Sequence, residues 1–184
     1  MDAGGFDSWY RLQHPRVLGV LVALSGDPDL DGDATDEAFS RAFERWDQVS
    51  GMASPAAWTH RVALNELRRR ARRRTLEQRH RWRWVERQRD VEVPEPEVWA
   101  AVRALPARQR QVLVLRYVGD LPEAEIADLV GISRGTVAST LLEARRRLAD
   151  ALPGHRSPDH RSPGDLAPVL VPLTPTPEVD HGHA

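Results

Sequence analysis

A chain of 184 residues has room for one medium domain or two small ones, each with a modest core of its own. It contains no cysteine, which excludes disulfides, thiolate metal sites and cysteine nucleophiles; it has no apolar run near the roughly 18 to 20 residues that span a bilayer. The net charge of -1 conceals segregation: residues 1–50 carry ten acids against four Arg, whereas residues 61–89 carry twelve Arg against Glu66, Glu77 and Glu86, a net of +9. The acidic start MDAGGFDSW lacks the basic and apolar regions of a signal peptide, so a cytoplasmic protein is expected. All 26 basic residues are Arg, a choice that a GC-rich genome explains. Codon usage would scatter them, however, and a dense basic stripe is the footprint of a polyanion binder.

The first element, Phe6 to Ser25, is an amphipathic helix with Trp9, Leu12, Val17, Leu18, Leu21 and Leu24 near helical spacing, ended by Gly26-Asp27-Pro28. A second helix is expected after the acidic stretch DPDLDGDATDE and through AFSRAFERW, with Phe39, Phe43 and Trp46 on one stripe that reads as core rather than interface. After the loop QVSGMASP, Ser54 caps and Pro55 opens a long third helix to about Arg74, with TLEQRHRWRWVERQR able to prolong it. On this helix Trp58, Arg61, Val62, Asn65 and Arg69 share one face, and Ala56, His60, Leu64 and Leu67 the other. Both faces are partly apolar, so periodicity leaves open which is buried. Mid-helix, His60 reads as a polar filler. The stretch DVEVPEPE, with Pro94 and Pro96 among four acids, is a linker.

Four helical segments follow: VWAAVRAL, ARQRQVLVLRYV after Pro106, PEAEIADLV, and SRGTVASTLLEARRRLADAL. In the last two, Ala127, Gly131, Val137 and Leu141 have the spacing of a helix-turn-helix. Ala127 is small where two helices cross, Gly131 suits a left-handed turn, Ser133 caps the second helix, and Val137, Leu141, Ala144 and Leu148 form its buried stripe. The opposite face presents Thr136, Ser139, Glu143 and Arg146 toward a major groove, with Arg134, Arg145 and Arg147 available for phosphates. From Pro153 onward seven Pro and the near-repeat HRSPDHRSPGD indicate a disordered tail, and its scattered His need no metal.

The stretch ALPARQRQVLVLRYVGDLPEAEIADLVGISRGTVASTLLEARRRL resembles the fourth conserved region of extracytoplasmic-function sigma factors. FDSWYRLQHPRVLGVLVALSGDPDLDGDATDEAFSRAFERW and SPAAWTHRVALNELRRRARRR resemble their second region. The likeness covers about residues 6–152 in the right order. It implies an all-α fold of two small helical domains joined by an acidic linker. Region 2 falls at 6–88, the linker at 89–97, region 4 at 98–152 and the tail at 153–184.

By the same resemblance the chain is a transcription initiation subunit and not an enzyme. Its expected partners are core RNA polymerase, through the largest-subunit clamp and the flap of the second-largest subunit, and promoter DNA. An anti-sigma partner is common in the family. No cofactor, metal or membrane insertion is implied. Asp33, Asp36, Glu37, Arg41 and Glu44 are the candidates for core polymerase. Ser50, Met52, Trp58, Arg61, Asn65, Arg68 and Arg69 are those for the -10 element. Arg134, Thr136, Ala138, Ser139, Thr140, Leu142, Glu143, Arg145 and Arg146 are those for the -35 element. Trp82 and Trp84, interleaved with Arg81, Arg83 and Arg87, form an aromatic-basic mixture suited either to single-stranded DNA or to packing on the linker.

Two departures from the family pattern stand out. Ala138, Thr140, Leu142 and Glu143 replace commonly basic positions, so the reading helix is less basic and more apolar than usual. Ala34 and Thr35 stand where larger apolar residues are common, which points to weakened clamp docking. A helix-turn-helix regulator derived from a sigma factor is the rival function. An ordinary repressor would leave the N-terminal helices and Arg cluster unexplained, and an enzyme has no phosphate loop, metal set or nucleophile elbow to work with.

Overall fold

The computed structural model describes residues 3–81 and 97–152, with side chains described from 4 to 75 and from 97 to 152. Every regular element among the described residues is helical: α1 (Ala3–Ser25), α2 (Pro28–Glu44), α3 (Trp46–Val49), α4 (Pro55–Arg81), α5 (Glu97–Ala104), α6 (Ala107–Tyr117), α7 (Glu123–Val130) and α8 (Arg134–Ala151). Of the expected linker at 89–97, residues 89–96 lie outside the described residues, as do Trp82, Trp84 and the tail from Pro153, whereas Glu97 opens α5.

In the first half, α1, α2 and α4 pack around Val17, Val20, Leu21, Ala34, Ala38, Phe39, Ala63 and Leu64. Gly26 ends α1 with φ +70°, a conformation open to glycine at no steric cost. Asp27 then caps α2, its carboxylate accepting from Leu30 N at 3.3 Å, and Pro28 takes the first helical position. The acidic stretch is therefore inside α2 and not before it. An Asp N-cap followed by Pro outweighs the low helix propensity of the Asp- and Gly-containing run, and acids in the first turn favour the helix dipole.

Ala34 and Thr35 are fully buried and Thr35 Oγ1 donates to Asp31 O at 2.8 Å. They face the core, so their small size sets helix spacing and carries no message about clamp docking. Phe39 and Trp46 are buried as expected, within an aromatic cluster with Phe6, Trp9 and Tyr10. Phe43 departs from the stripe: it is 44% exposed, edge-on to Phe6 at 4.9 Å.

In the second half α6 is the centre. Four successive residues, Val112 to Leu115, are all fully buried, which happens only when a helix is covered on every side. Its neighbours are α7 and α8 from its own half and α1 from the other. The buried side chains of both halves accordingly form one continuous apolar cluster from Val17 to Leu148.

Candidate nucleic-acid interface

The α7–α8 pair forms from local chemistry. Gly131 adopts φ +72°, ψ +44°, and the N–H groups of Gly131 and Ile132 both donate to Ala127 O, at 2.9 and 3.0 Å. Ser133 Oγ accepts from Thr136 N at 3.1 Å, so α8 starts where a cap is available. Val137, Leu141, Ala144 and Leu148 are buried, as the spacing predicts. The outer face presents Arg134, Thr136, Ala138, Ser139, Leu142 and Arg146 to solvent, with Thr140 and Glu143 half-buried at its borders. Leu142 is 68% exposed; a large apolar side chain held in water on this face is suited to a thymine methyl.

Two charged residues on α8 behave unlike a basic stripe. Glu143 accepts from Arg146 Nη2 at 2.8 Å and Arg147 Nε at 3.2 Å, and these hydrogen bonds hold its carboxyl below the usual range. Arg145 Nε donates to the Tyr117 hydroxyl at 2.7 Å, with its guanidinium 5.7 Å from that ring's centroid. It leans on α6 as a brace, so the Arg145 side chain expected at phosphates is turned toward the protein.

On the first half, Ser54 Oγ accepts from Ala57 N at 3.1 Å and Pro55 opens α4, as expected, but the helix runs on to Arg81. Arg61, Asn65, Arg68 and Arg69 are exposed on α4, Trp58 is half-buried beside them, and Ser50 and Met52 are exposed in the preceding loop. His60, Leu64 and Leu67 are buried, which settles the face that periodicity left open. Arg68 Nη1 donates to Asn65 Oδ1 at 3.3 Å, presetting that amide.

The arginine cluster is extensively neutralised from within. Glu66 is 3% exposed and accepts from Arg69 Nη2 at 2.6 Å and from Arg70 Nε at 2.8 Å, with Arg41 of α2 3.8 Å away. The bond from Arg69 is the main cause that lowers its pKa, against a raising effect of burial. Arg70 also donates to Asp33 at 2.6 Å, and Arg74 pairs with Asp27, the cap of α2. Glu66 and Asp27 were not among the expected site residues. The i, i+4 relation of Glu66 to Arg70 was readable in sequence, whereas the α2–α4 pairs needed the packing.

Of the polymerase-facing candidates, Asp33 is thus committed to Arg70, Glu37 accepts from Arg41 at 2.8 Å, and exposed Asp36 lies 3.8 Å from His14 Nε2. Glu44 is exposed at the end of α2.

The sigma-70 region 2 family model matches residues 9–77, and the sigma-70 region 4 model matches residues 96–148. The chain is 30% identical over 155 residues to the RNA polymerase sigma-E factor of Streptomyces avermitilis, covering 80% of this chain and 84% of that one. It is 31% identical over 173 residues to the ECF RNA polymerase sigma factor SigE of Mycolicibacterium smegmatis, covering 85% and 66%. Among solved structures it matches the sigma factor RpoE from its complex with the anti-sigma factor NepR of Bartonella quintana, with TM-score 0.65 and 22% identity over 83% of this chain and 99% of that one. CnrH, solved with the cytosolic domain of CnrY, matches with TM-score 0.51 and 20% identity over 83% and 88%. At such identities the likeness to solved structures is one of fold. No helix among the described residues is long and apolar enough to cross a membrane.

Proposed function

The chain belongs to the sigma-70 family of RNA polymerase sigma factors, in its extracytoplasmic-function branch, and we propose that its two halves divide promoter recognition as follows. It binds core polymerase and directs transcription initiation in the cytoplasm. Residues 6–88 act as region 2, 98–152 as region 4, and 89–97 as the connector. The carrying observation is the α7–α8 unit, whose cap, left-handed turn and buried stripe leave one polar face of α8 outward.

On that face Arg134, Thr136, Ser139 and Arg146 supply donors and acceptors to base edges and phosphates, and Ala138 and Leu142 supply apolar contacts. Exposed Arg61, Asn65, Arg68 and Arg69 on α4 meet the -10 strand, with Ser50, Met52 and Trp58 nearest to a base that has left the stack. On α2, Asp36, Glu37, Arg41 and Glu44 form the exposed rim of the polymerase-docking face, and Asp33 joins them only by sharing its carboxylate with Arg70. No step of this reading asks the chain for bond-making chemistry. RpoE of Bartonella quintana was solved with an anti-sigma factor, and a regulator of that kind is the further partner of this reading.

The test is run-off transcription with purified core polymerase and genomic promoter fragments. Specific transcripts that depend on this protein are expected. Absence of core binding would remove the sigma assignment in favour of a helix-turn-helix regulator, which would footprint DNA alone.

A further inference from the structure

Two residues on the outer face of α8 are not accounted for by the packing of the chain on itself. Gly135 stands in the first turn of the helix, where glycine weakens a helix relative to alanine. Its backbone is not left-handed, and a Cβ built there would meet only Ser133 Oγ at 3.9 Å, an ordinary contact. At Gly19 and Gly119, by contrast, a Cβ would strike Val118 Cγ1 at 2.9 Å and Leu115 O at 2.8 Å. Nothing inside the chain calls for glycine at position 135.

Leu142 is the second such residue. At 68% it is the most exposed large apolar side chain among the described residues. A lone exposed leucine is ordinary on a protein surface, but this one shares a line with Gly135. At about 100° of rotation per residue, Gly135, Ser139, Leu142 and Arg146 fall within about 60° of one another, on the side of α8 away from Val137, Leu141, Ala144 and Leu148. In order the line carries a bare backbone, a hydroxyl, an apolar side chain and a guanidinium. Gly135 and Leu142 are about 10 Å apart along the axis, or about three base-pair steps of roughly 3.4 Å.

The guanidinium on this line is not a free fork for the two acceptors of a guanine edge, because Arg146 Nη2 already donates to Glu143 at 2.8 Å. The centre of the line is left to apolar contact. The apolar feature that a base pair shows in the major groove is the C5-methyl of thymine.

With α8 as the -35 binder, the reading on which this rests, we propose that Leu142 selects promoters by the C5-methyl of a thymine, at a depth in the major groove that the bare backbone of Gly135 allows. A Cβ at position 135 would stand between the first turn and the base edges and lift Leu142 away from the methyl. Leu142 is thus a specificity-determining residue and Gly135 a positioning one.

The methyl can be removed without altering the protein, since deoxyuridine pairs as thymine does and lacks only that group. A promoter found by run-off transcription is remade with deoxyuridine for thymine in its upstream element alone. Its affinity for core polymerase loaded with the full-length chain should fall by about fourfold for each methyl contacted. The Leu142→Ala variant should bind the thymine and deoxyuridine duplexes equally, closing a cycle between side chain and methyl. The Gly135→Ala variant should melt above wild type, because alanine favours the helix, yet bind the thymine duplex more weakly by about fourfold or more.

Equal affinity of wild type for the two duplexes would overturn the proposal and leave Leu142 to a protein partner. A deoxyuridine effect that survives Leu142→Ala, or a Gly135→Ala variant that binds as tightly as wild type or melts below it, would overturn it as well. Each of these leaves the sigma assignment standing. A wild-type protein that gives no transcript with core would overturn the functional reading and the proposal with it, so the two failures are distinguishable.

Discussion

The two helices richest in arginine, α4 and α8, handle their positive charge in different ways. On α4 the arginines are drawn into a network that reaches another helix: Glu66 of α4 itself holds Arg69 and Arg70, while Asp33 and Asp27 of the α2 segment take Arg70 and Arg74. On α8 the restraint is mostly local, with Glu143 holding Arg146 and Arg147 one turn away, while Arg145 reaches α6 through Tyr117 and Arg134 lies 3.7 Å from Glu123 of α7. Charge counted along a sequence is therefore not charge offered to DNA. In the first half it welds α2 to α4 and leaves Arg61, Arg68 and Arg72 as exposed cations. In the second it restrains the outer face of α8, a helix seated by buried Val137, Leu141 and Ala144.

That contrast can be broken most strongly at Glu66. Glu66→Gln removes the buried charge that organises three guanidiniums from two helices; since those groups reach solvent, a loss of about 2 kcal/mol is expected in urea unfolding. Single-stranded DNA binding should at the same time steepen its salt dependence by about one unit of slope. A variant with unchanged stability would mean the network is surface decoration.

The next effect is on pH dependence. Burial pushes the Asp31 carboxyl up to about 6 and lowers His60 to about 4. Folded Asp31 holds its proton to higher pH than the unfolded chain, so its contribution falls as pH rises from about 4 to about 6. Folded His60 stays neutral where the unfolded chain is protonated, so its contribution is lost as pH falls from about 6.5 to about 4. The positive charge of Arg16, which pairs with Asp120, adds to the lowering of His60. Asp31→Asn removes one of two opposing terms: thermal stability at pH 7.5 should rise by about 2 kcal/mol, and acid loss below pH 6.5 should steepen. Circular dichroism melts across pH 4 to 8 would show it; a parallel shift at every pH would refute the assignment.

A smaller change is expected from releasing the inter-helix pairs alone. Asp27→Asn with Asp33→Asn should cost under about 1 kcal/mol per pair, since both are partly exposed. Single-stranded DNA affinity at low salt should rise, because Arg70 and Arg74 become available. Least perturbing to the fold is Glu143→Gln on α8. It should leave the melting curve in place yet strengthen duplex binding and increase the salt slope by about one. Equal effects of Glu143→Gln and Glu66→Gln on unfolding would erase the distinction between the two halves.

Residues whose roles are set within one turn of helix were legible without a structure. Ala127, Gly131, Ser133 and the Val137–Leu148 stripe read correctly because a cap, a left-handed turn and a helical period are local properties of the backbone. Ser54-Pro55 read correctly for the same reason. The readings that needed correcting concern distant partners. Ala34 and Thr35 face the core because α4 crosses α2 there; Arg145 faces Tyr117, 28 residues earlier; Arg70 and Arg74 meet acids 37 and 47 residues away. The start of α2 was also displaced, because acidic composition masked an Asp cap followed by Pro.

Helical class, the order of the two units and the outward face of α8 are determined by the sequence itself, since hydrogen-bond capping and the 3.6-residue period act between near neighbours. Which arginines are paired with acids, and that the halves pack together over His60, were decided only by tertiary structure. Those outcomes depend on separations of a few ångströms between segments far apart in the chain, and ion pairing, desolvation and close packing change sharply over such distances.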